Sequence, residues 1–283
     1  MTSLIDTCQC IVCGSDRHEP ALDGLLRRCA ACAFHWTADR PGRIDTLYDE
    51  SYYETESYRQ YFDRAEQWRY EATRRLRWLL SAVRPRSLVE AGPAGGFFLE
   101  AARQAGIDAT GVEVSEVAGR YAREQLGVPV QQGVFEEVVL PAPVDAVCAF
   151  HVLEHVEDPA TFLHAARDRL VTGGWLALEV PNLGSVAARR AGASWVDLAP
   201  RYHHWHFDAD SLTRLVAGCG FAVTRVDTLF ATGYLRPRRL LTRWGAAGSW
   251  RVFRATGSFR SSHPRLGDYL RLVARRTEGA RHS

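Results

Sequence analysis

The stretch Ser87–Leu99, SLVEAGPAGGFFL, constrains the fold of this chain more than any other segment. Its first residues predict a short buried strand, and three glycines then remove side chains from the turn that follows. The next residues predict a helix that begins near Phe97 and ends at Gly106. A strand, a glycine-rich turn and a helix in this order let the backbone approach a ligand at the strand end.

Acidic residues end two successive predicted strands. Glu90 ends the first, and a second apolar run, Ala109–Val112, leads into Glu113. A carboxylate at the tip of the second strand can accept hydrogen bonds from both hydroxyls of a ribose, which predicts a nucleoside-containing ligand. Further strands are predicted near Val128–Val130 and over Asp145–Phe150. The second of these lies directly before the segment HVLEHVEDP.

Together these motifs resemble the class I S-adenosylmethionine-dependent methyltransferases, over a span from Tyr48 to Arg275. The resemblance implies an α/β fold, namely a Rossmann-like seven-stranded sheet with helices on both faces, and S-adenosylmethionine as cofactor. It places Glu113 at the ribose, and Val134 and Phe135 beside the adenine. The full set of cofactor-binding residues that it implies is Glu90, Gly92, Ala94, Gly96, Glu113, Val134, Phe135, Phe150 and His151. Ala94 stands where the family usually has glycine.

Four of the seven cysteines have metal-ligand spacing. Cys10-x2-Cys13 and Cys29-x2-Cys32 form two pairs separated by fifteen residues. Four thiolates at this spacing suit a tetrahedral structural zinc, which would fold a segment too short to build its own core. We therefore predict a zinc-ribbon-like module over residues 1–42. Alternative ligands are Cys8, His18 and His35, whereas the last two cysteines, Cys148 and Cys219, are expected in the core.

The remaining chain divides into a lid and helical segment at 43–85 and the methyltransferase domain at 86–283. The tyrosine-rich sequence YDESYYE resembles a lid over the cofactor, so Tyr52 or Tyr53 is expected to touch ligand; the alternative is plain surface aromatics. Later elements are a helix capped by Asp158, a strand over Trp175–Val180, a helix capped by Asp208, and two final strands, Phe221–Val226 and the antiparallel Asp268–Ala274. Residues 234–265 would be an Arg-rich insertion before the last strand.

All 35 basic residues are arginines, and twelve of them lie within residues 234–283 against two acids. Such a tail can attract phosphates, nucleic acid or an anionic membrane surface, although a solvated face is the alternative. No apolar run approaches the ~20 residues that a spanning helix needs. The N-terminus also lacks the features of a signal peptide, so we expect a cytoplasmic chain without a membrane span.

Histidines are the candidates for acceptor chemistry. Methyl transfer from a sulfonium is an in-line displacement, and a base is needed only where the acceptor must lose a proton. His151 and His155 flank the predicted cleft at the fourth strand, and RYHHWHFD adds His203, His204 and His206. We rank His203 first and His155 second as the catalytic base, against a structural hydrogen bond for each. A metal on the three neighbouring histidines is less favoured, because no carboxylate spacing supports it.

The first functional interpretation is O-methylation of a small-molecule or glycan acceptor, which could be anionic. A zinc module before this fold resembles methyltransferases of sugar and natural-product pathways, so N- or C-methylation of a sugar is an alternative. An RNA methyltransferase that uses the zinc module and the arginine tail is a second alternative. A non-catalytic cofactor-binding protein is a third, with only Ala94 in its favour.

Overall fold

The computed structural model describes residues 9–39, 61–230, 260–261, 263 and 265–278 of the 283-residue chain. Tyr52, Tyr53, Cys8 and most of the Arg-rich insertion lie outside these ranges, so the predictions about them stay predictions. No helix in the described ranges is both long enough and apolar enough to cross a bilayer.

Strands and helices alternate through the central part of the chain. The strands are β1 (His18–Ala21), β2 (Leu26–Cys29), β3 (His35–Thr37), β4 (Ser87–Ala91), β5 (Asp108–Glu113), β6 (Val130–Gln132), β7 (Val144–Phe150), β8 (Leu170–Pro181), β9 (Trp205–His206), β10 (Phe221–Leu229), β11 (Arg260–Ser261) and β12 (Tyr269–Arg276). The α-helices of the described ranges are α1 (Ala65–Leu80), α2 (Phe97–Gln104), α3 (Glu116–Gln125), α4 (Pro159–Arg169), α5 (Val186–Ala191) and α6 (Ala209–Gly218).

The central sheet has the order β6-β5-β4-β7-β8-β12-β10-β11. The first five strands in this order, from β6 through β5, β4 and β7 to β8, pair in parallel. Strand β12 runs antiparallel to both of its neighbours, β8 and β10. The predicted seven-stranded α/β sheet is confirmed, and the two-residue β11 adds a short pairing at its edge. Because parallel strands end on the same edge, the residues that follow β4, β5 and β7 are neighbours.

Both faces of the sheet are covered. Alternate residues of β7 enter two separate hydrophobic clusters, Val147 and Ala149 in one, and Ala146 and Cys148 in the other. Helices α4 and α6 pack in the first cluster, and α1 and α2 in the second. The expected core position of Cys148 is confirmed, and so is that of Cys219 at the end of α6.

Helix starts follow the sequence signals closely. The side chain of Asp158 accepts a hydrogen bond from the Ala160 N–H at the start of α4. Asp208 and Ser211 form a reciprocal capping box at the start of α6. These caps satisfy N–H groups that have no partner within the helix, which is why each helix begins there.

Two predicted strands have different bounds. The third was expected near Val128–Val130, but the Val128 N–H bonds to the carbonyl of Ala122 and closes the end of α3, so β6 begins at Val130. The fifth was expected after a glycine turn, yet β8 already pairs at Leu170. The glycines at 173 and 174 lie within β8, where the register with β7 shifts.

The four-stranded sheet of the N-terminal module includes one strand from the large domain. Its strands have the order β1-β2-β3-β9, and β9 comes from the segment 183–206 that shows no periodicity in the sequence. The Thr37 hydroxyl donates to the carbonyl of His203, and its oxygen lies 2.9 Å from Nε2 of His206. Phe34 stacks on Trp205 and packs on Phe207, so the module and the domain have one continuous core.

We predict that Thr37→Val destabilises the protein by about 1–3 kcal/mol, because it removes a hydroxyl from the His203 carbonyl and from the buried His206 ring while keeping the side-chain volume. Chemical denaturation would measure the loss. Thr73→Val is the matched control, since the Thr73 hydroxyl bonds an exposed carbonyl within α1 and its removal should change stability by less than about 0.5 kcal/mol. Equal effects of the two substitutions would contradict a structural role for the β3–β9 contact.

Candidate active site

The glycine-rich turn after β4 brings its backbone close to the neighbouring elements. Gly92 has φ +64°, and a Cβ there would lie 2.7 Å from Cγ2 of Val152. Gly96 has φ +82°, and a Cβ there would lie 2.8 Å from the Cβ of Ala122. Ala94 also adopts a left-handed conformation, with φ +47°, which costs an L-residue about 1–2 kcal/mol. The turn thus keeps the conformation that glycine would favour even where alanine replaces it.

Two buried carboxylates lie beside this turn. Glu113 accepts hydrogen bonds from the N–H groups of Ala94 and Ser115, at 2.8 and 2.9 Å. Burial raises its pKa, and these N–H groups act against the rise. Glu90 is buried as well; desolvation raises its pKa to about 8, although the charge of Arg75 opposes that rise. The Glu113 carboxylate retains lone-pair capacity that could accept a ligand hydroxyl.

The segment after β6 contributes a half-buried Val134 and a buried Phe135. The ring of Phe135 packs against Phe162 at a centroid distance of 5.1 Å, and the guanidinium of Arg169 lies over it. Core packing therefore covers part of this ring. The predicted contacts of Val134 and Phe135 with the adenine stay a prediction.

The end of β7 lies next to the end of β4, at the same edge of the central sheet. Phe150 is buried against Phe98, with the guanidinium of Arg75 4.8 Å above its ring. His151 has φ +58°, an uncommon conformation for a residue with a side chain. Its N–H bonds to the carbonyl of Glu179, and its side chain is about one-third exposed, at 31%. His151 is therefore held in a strained position at an accessible part of the strand ends.

A buried carboxylate on β8 organises the charges behind His151. Glu179 is ion-paired with Arg75 of α1 and with Arg271 of β12, and its Oε1 lies 3.1 Å from Nε2 of His151. Burial favours the neutral acid, but the two guanidiniums and His151 hold the pKa of Glu179 well below its usual range. Burial also disfavours charge on His151, yet its contacts with Glu154 and Glu179 raise its pKa to about 9.

The predicted bases His155 and His203 lie together, with ring centroids 4.6 Å apart. The two residues come from the loop after β7 and from the segment before β9. The His204 N–H bonds to the carbonyl of Glu154 and holds the two segments together. Burial lowers the pKa of both imidazoles, to about 3 for His203, where the nearby His155 adds to the effect. Both rings are therefore neutral near pH 7.

The other histidines of RYHHWHFD have different surroundings. His206 is buried against Thr37, and burial keeps its pKa well below the usual range. His204 is buried next to Trp205, with ring centroids 6.4 Å apart. Of the three histidines that are neighbours in RYHHWHFD, His203 is therefore the one whose ring packs against His155.

Several charged residues of this site were missed in the sequence. Glu154 is buried between His151 and His155, with its Oε1 3.3 and 3.9 Å from their nearest ring nitrogens. Asp197 is half-buried near His151, and burial raises its pKa to about 6. An acid within the apolar strand sequence LALEVP was a usable signal for Glu179, whereas nothing local marks Arg75 or Asp197.

Comparison with known proteins identifies the family. A family model described as a methyltransferase domain matches residues 56–226, which is more than half of the chain. The chain therefore belongs to this methyltransferase family, and with this fold it is a class I S-adenosylmethionine-dependent methyltransferase. S-adenosylmethionine is the cofactor that the family uses.

Curated relatives have named activities. The chain is 29% identical over 194 residues to a ubiquinone biosynthesis O-methyltransferase of Paracidovorax citrulli, covering 63% of this chain and 79% of that protein. It is 31% identical over 121 residues to the Bordetella avium protein of the same name, covering 38% of this chain and 49% of that protein. The chain thus spans about half the length of the Bordetella relative.

Solved structures support the fold alone. A SAM-dependent methyltransferase from Thermotoga maritima superposes with a TM-score of 0.54 at 20% identity, covering 76% of this chain and 96% of that chain. A SAM-dependent methyltransferase from Archaeoglobus fulgidus superposes with a TM-score of 0.53 at 18% identity, covering 76% of this chain and 99% of that chain.

Proposed function

We propose that this methyltransferase transfers the methyl group to a hydroxyl of a small-molecule acceptor bound next to His155 and His203. The observation that carries the proposal is this imidazole pair, which contacts the strand-end residue His151 through the carboxylate of Glu154. The names of the curated relatives support an oxygen as the methylated atom. A ring hydroxyl is the acceptor class that a ubiquinone-related reaction would suggest.

The cofactor would lie across the ends of β4, β5 and β7. In this proposal Glu113 accepts hydrogen bonds from the ribose, and the turn at Gly92, Ala94 and Gly96 lies against the methionine part. Val134 and the main chain at Phe135 would contact the adenine. The buried Glu90 would face the cofactor's ammonium group, whose positive charge would favour its ionised form. Phe150 and His151 would close the side toward the acceptor.

The reaction requires one proton transfer besides methyl transfer. The bond between sulfur and the methyl carbon breaks, the acceptor oxygen bonds that carbon, and S-adenosylhomocysteine leaves. The hydroxyl proton departs at the imidazole pair and passes to water. We place His203 first and His155 second in contact with this hydroxyl. Positioning of the reactants supplies much of the rate in such a displacement, and removal of the proton adds to it.

The thiols of Cys10, Cys13, Cys29 and Cys32, which we call the four-cysteine cluster, are proposed to hold a structural zinc. The Sγ atoms of Cys10 and Cys32 are 3.4 Å apart, those of Cys13 and Cys29 are 3.6 Å apart, and all four lie within 4.8 Å of one another. Tetrahedral zinc with bonds of about 2.3 Å needs sulfur separations of about 3.8 Å. The thiol positions therefore suit this ion.

The ribose assignment predicts that Glu113→Ala weakens S-adenosylhomocysteine binding by roughly ten- to a hundredfold, the equivalent of one charge-assisted hydrogen bond. Titration calorimetry on the folded variant would measure it. Glu124→Ala, an exposed acid on α3, is the control and should bind as the wild type does. Unchanged affinity in Glu113→Ala would contradict the assignment.

The zinc assignment predicts about one zinc ion per purified chain, retained in the presence of a weak chelator. Elemental analysis should show its loss in Cys29→Ser, together with lower solubility. Cys219→Ser, which changes a buried thiol that is not part of the four-cysteine cluster, should keep the zinc. Protein that folds normally without any zinc would show that the four thiols are unrelated.

The acceptor assignment predicts that His203→Ala lowers kcat for hydroxylated aromatic acceptors by about a hundredfold, while S-adenosylhomocysteine affinity stays near that of the wild type. Transfer of labelled methyl to a panel of such acceptors would measure it. His164→Ala, exposed on α4, is the matched control. Full turnover in both His203→Ala and His155→Ala would place the acceptor elsewhere.

A further inference from the structure

The residues Glu154, His155 and His203, which we call the Glu-His-His cluster, have the geometry of a cation site. Their nearest ligand atoms lie within 4.8 Å of one another, although His203 is 48 positions from His155 along the chain. The carboxylate that the sequence lacked near RYHHWHFD thus comes from the loop after β7. The cluster is separate from the four thiols of the N-terminal module.

Main-chain carbonyls orient both imidazoles. Nδ1 of His155 lies 2.9 Å from the carbonyl oxygen of Tyr202, and Nδ1 of His203 lies 3.1 Å from that of Asp197. A carbonyl only accepts, so each Nδ1 must carry the proton and each Nε2 the lone pair. Metal-binding histidines commonly donate their second N–H to a carbonyl in this way, which fixes the tautomer and the ring orientation.

The third member is a buried carboxylate with one close cationic partner. Glu154 is 1% exposed, and its Oε2 accepts no hydrogen bond from the described part of the chain. His151 forms an ion pair with Oε1 at 3.3 Å, and Nε2 of His155 is 3.9 Å from the same oxygen. Burial of a carboxylate is costly unless it is paired, hydrogen-bonded or bound to a metal. The second oxygen therefore has capacity for a cation.

We propose that Glu154, His155 and His203 bind one divalent transition-metal cation. Two imidazoles and one carboxylate suit manganese, iron, cobalt or zinc better than magnesium or calcium, which prefer all-oxygen sites. Bonds of about 2.0–2.2 Å require the ligand atoms to draw together by about 1 Å or less each. Three protein ligands leave coordination positions open for an acceptor oxygen.

This inference deepens the proposed function and rests on it for its chemical role. A cation held by Glu154, His155 and His203 would lower the pKa of an acceptor hydroxyl beside it, so that the hydroxyl proton could leave to water before methyl transfer. The oxygen then attacks the methyl carbon, and the bond from that carbon to sulfur breaks. With the cation bound, both imidazole lone pairs serve as ligands, so the proton goes directly to water, and the role of base proposed above for His203 applies to the chain without the cation.

Manganese(II) is the probe that tests the site, because its preference for nitrogen and oxygen ligands disfavours the four-cysteine cluster. Titration of the full chain, followed by loss of the free-ion EPR signal, should show about one bound ion per chain. His203→Ala should weaken binding by at least about tenfold. Glu154→Gln, which keeps the side-chain shape, should do the same, and its S-adenosylhomocysteine affinity would verify the fold.

The control is His164→Ala, which should bind manganese as the wild type does. Absence of manganese binding, or wild-type binding in both His203→Ala and Glu154→Gln, would overturn the inference. The binding readout needs no acceptor, so its failure is distinguishable from that of the proposed function. Variant-sensitive binding in a chain that methylates no hydroxyl would support the site and reject O-methylation. Hydroxyl methylation without manganese binding would reject only the site.

Discussion

The buried charge of Glu179 is the interaction on which the arrangement of the site depends. It joins α1, β8, β12 and the residue after β7, through Arg75, Arg271 and His151. Arg271 is directly opposite Glu179 in the antiparallel register, and each of these two side chains is 3% exposed. Loss of one partner from a buried ion pair costs about 3–5 kcal/mol, so this network both secures the sheet and orients His151.

The second constraint is the shared sheet of the N-terminal module. Since β9 pairs with β3, the loop that carries His203 is held between the N-terminal module on one side and the loop after β7 on the other. Trp205 adds a hydrogen bond from its indole N–H to the carbonyl of Val156. Folding of the small module and placement of His203 are therefore physically coupled, so the proposed structural zinc would also stabilise the position of His203.

Two of the strand ends at this site carry backbone strain. Ala94 after β4 and His151 after β7 both have positive φ values, although neither is glycine. Such conformations persist only where surrounding contacts hold them, and they occur often at functional sites. The hydrogen bond from Ala94 to Glu113 and the contacts of His151 with two carboxylates supply that support. Both residues belong to the cofactor site proposed above.

The sequence by itself determined the fold class, the glycine turn, the helix caps and the spacing of the four cysteines, because these depend on local conformational preferences and on periodicity. It also placed Glu90 and Glu113 at neighbouring strand ends. Tertiary structure alone decided that His203 meets His155, that Glu154 and Glu179 flank His151, that the Phe135 ring enters the core, and that β9 joins β3. These contacts join distant segments, and their strength comes from burial and charge pairing that no local pattern encodes.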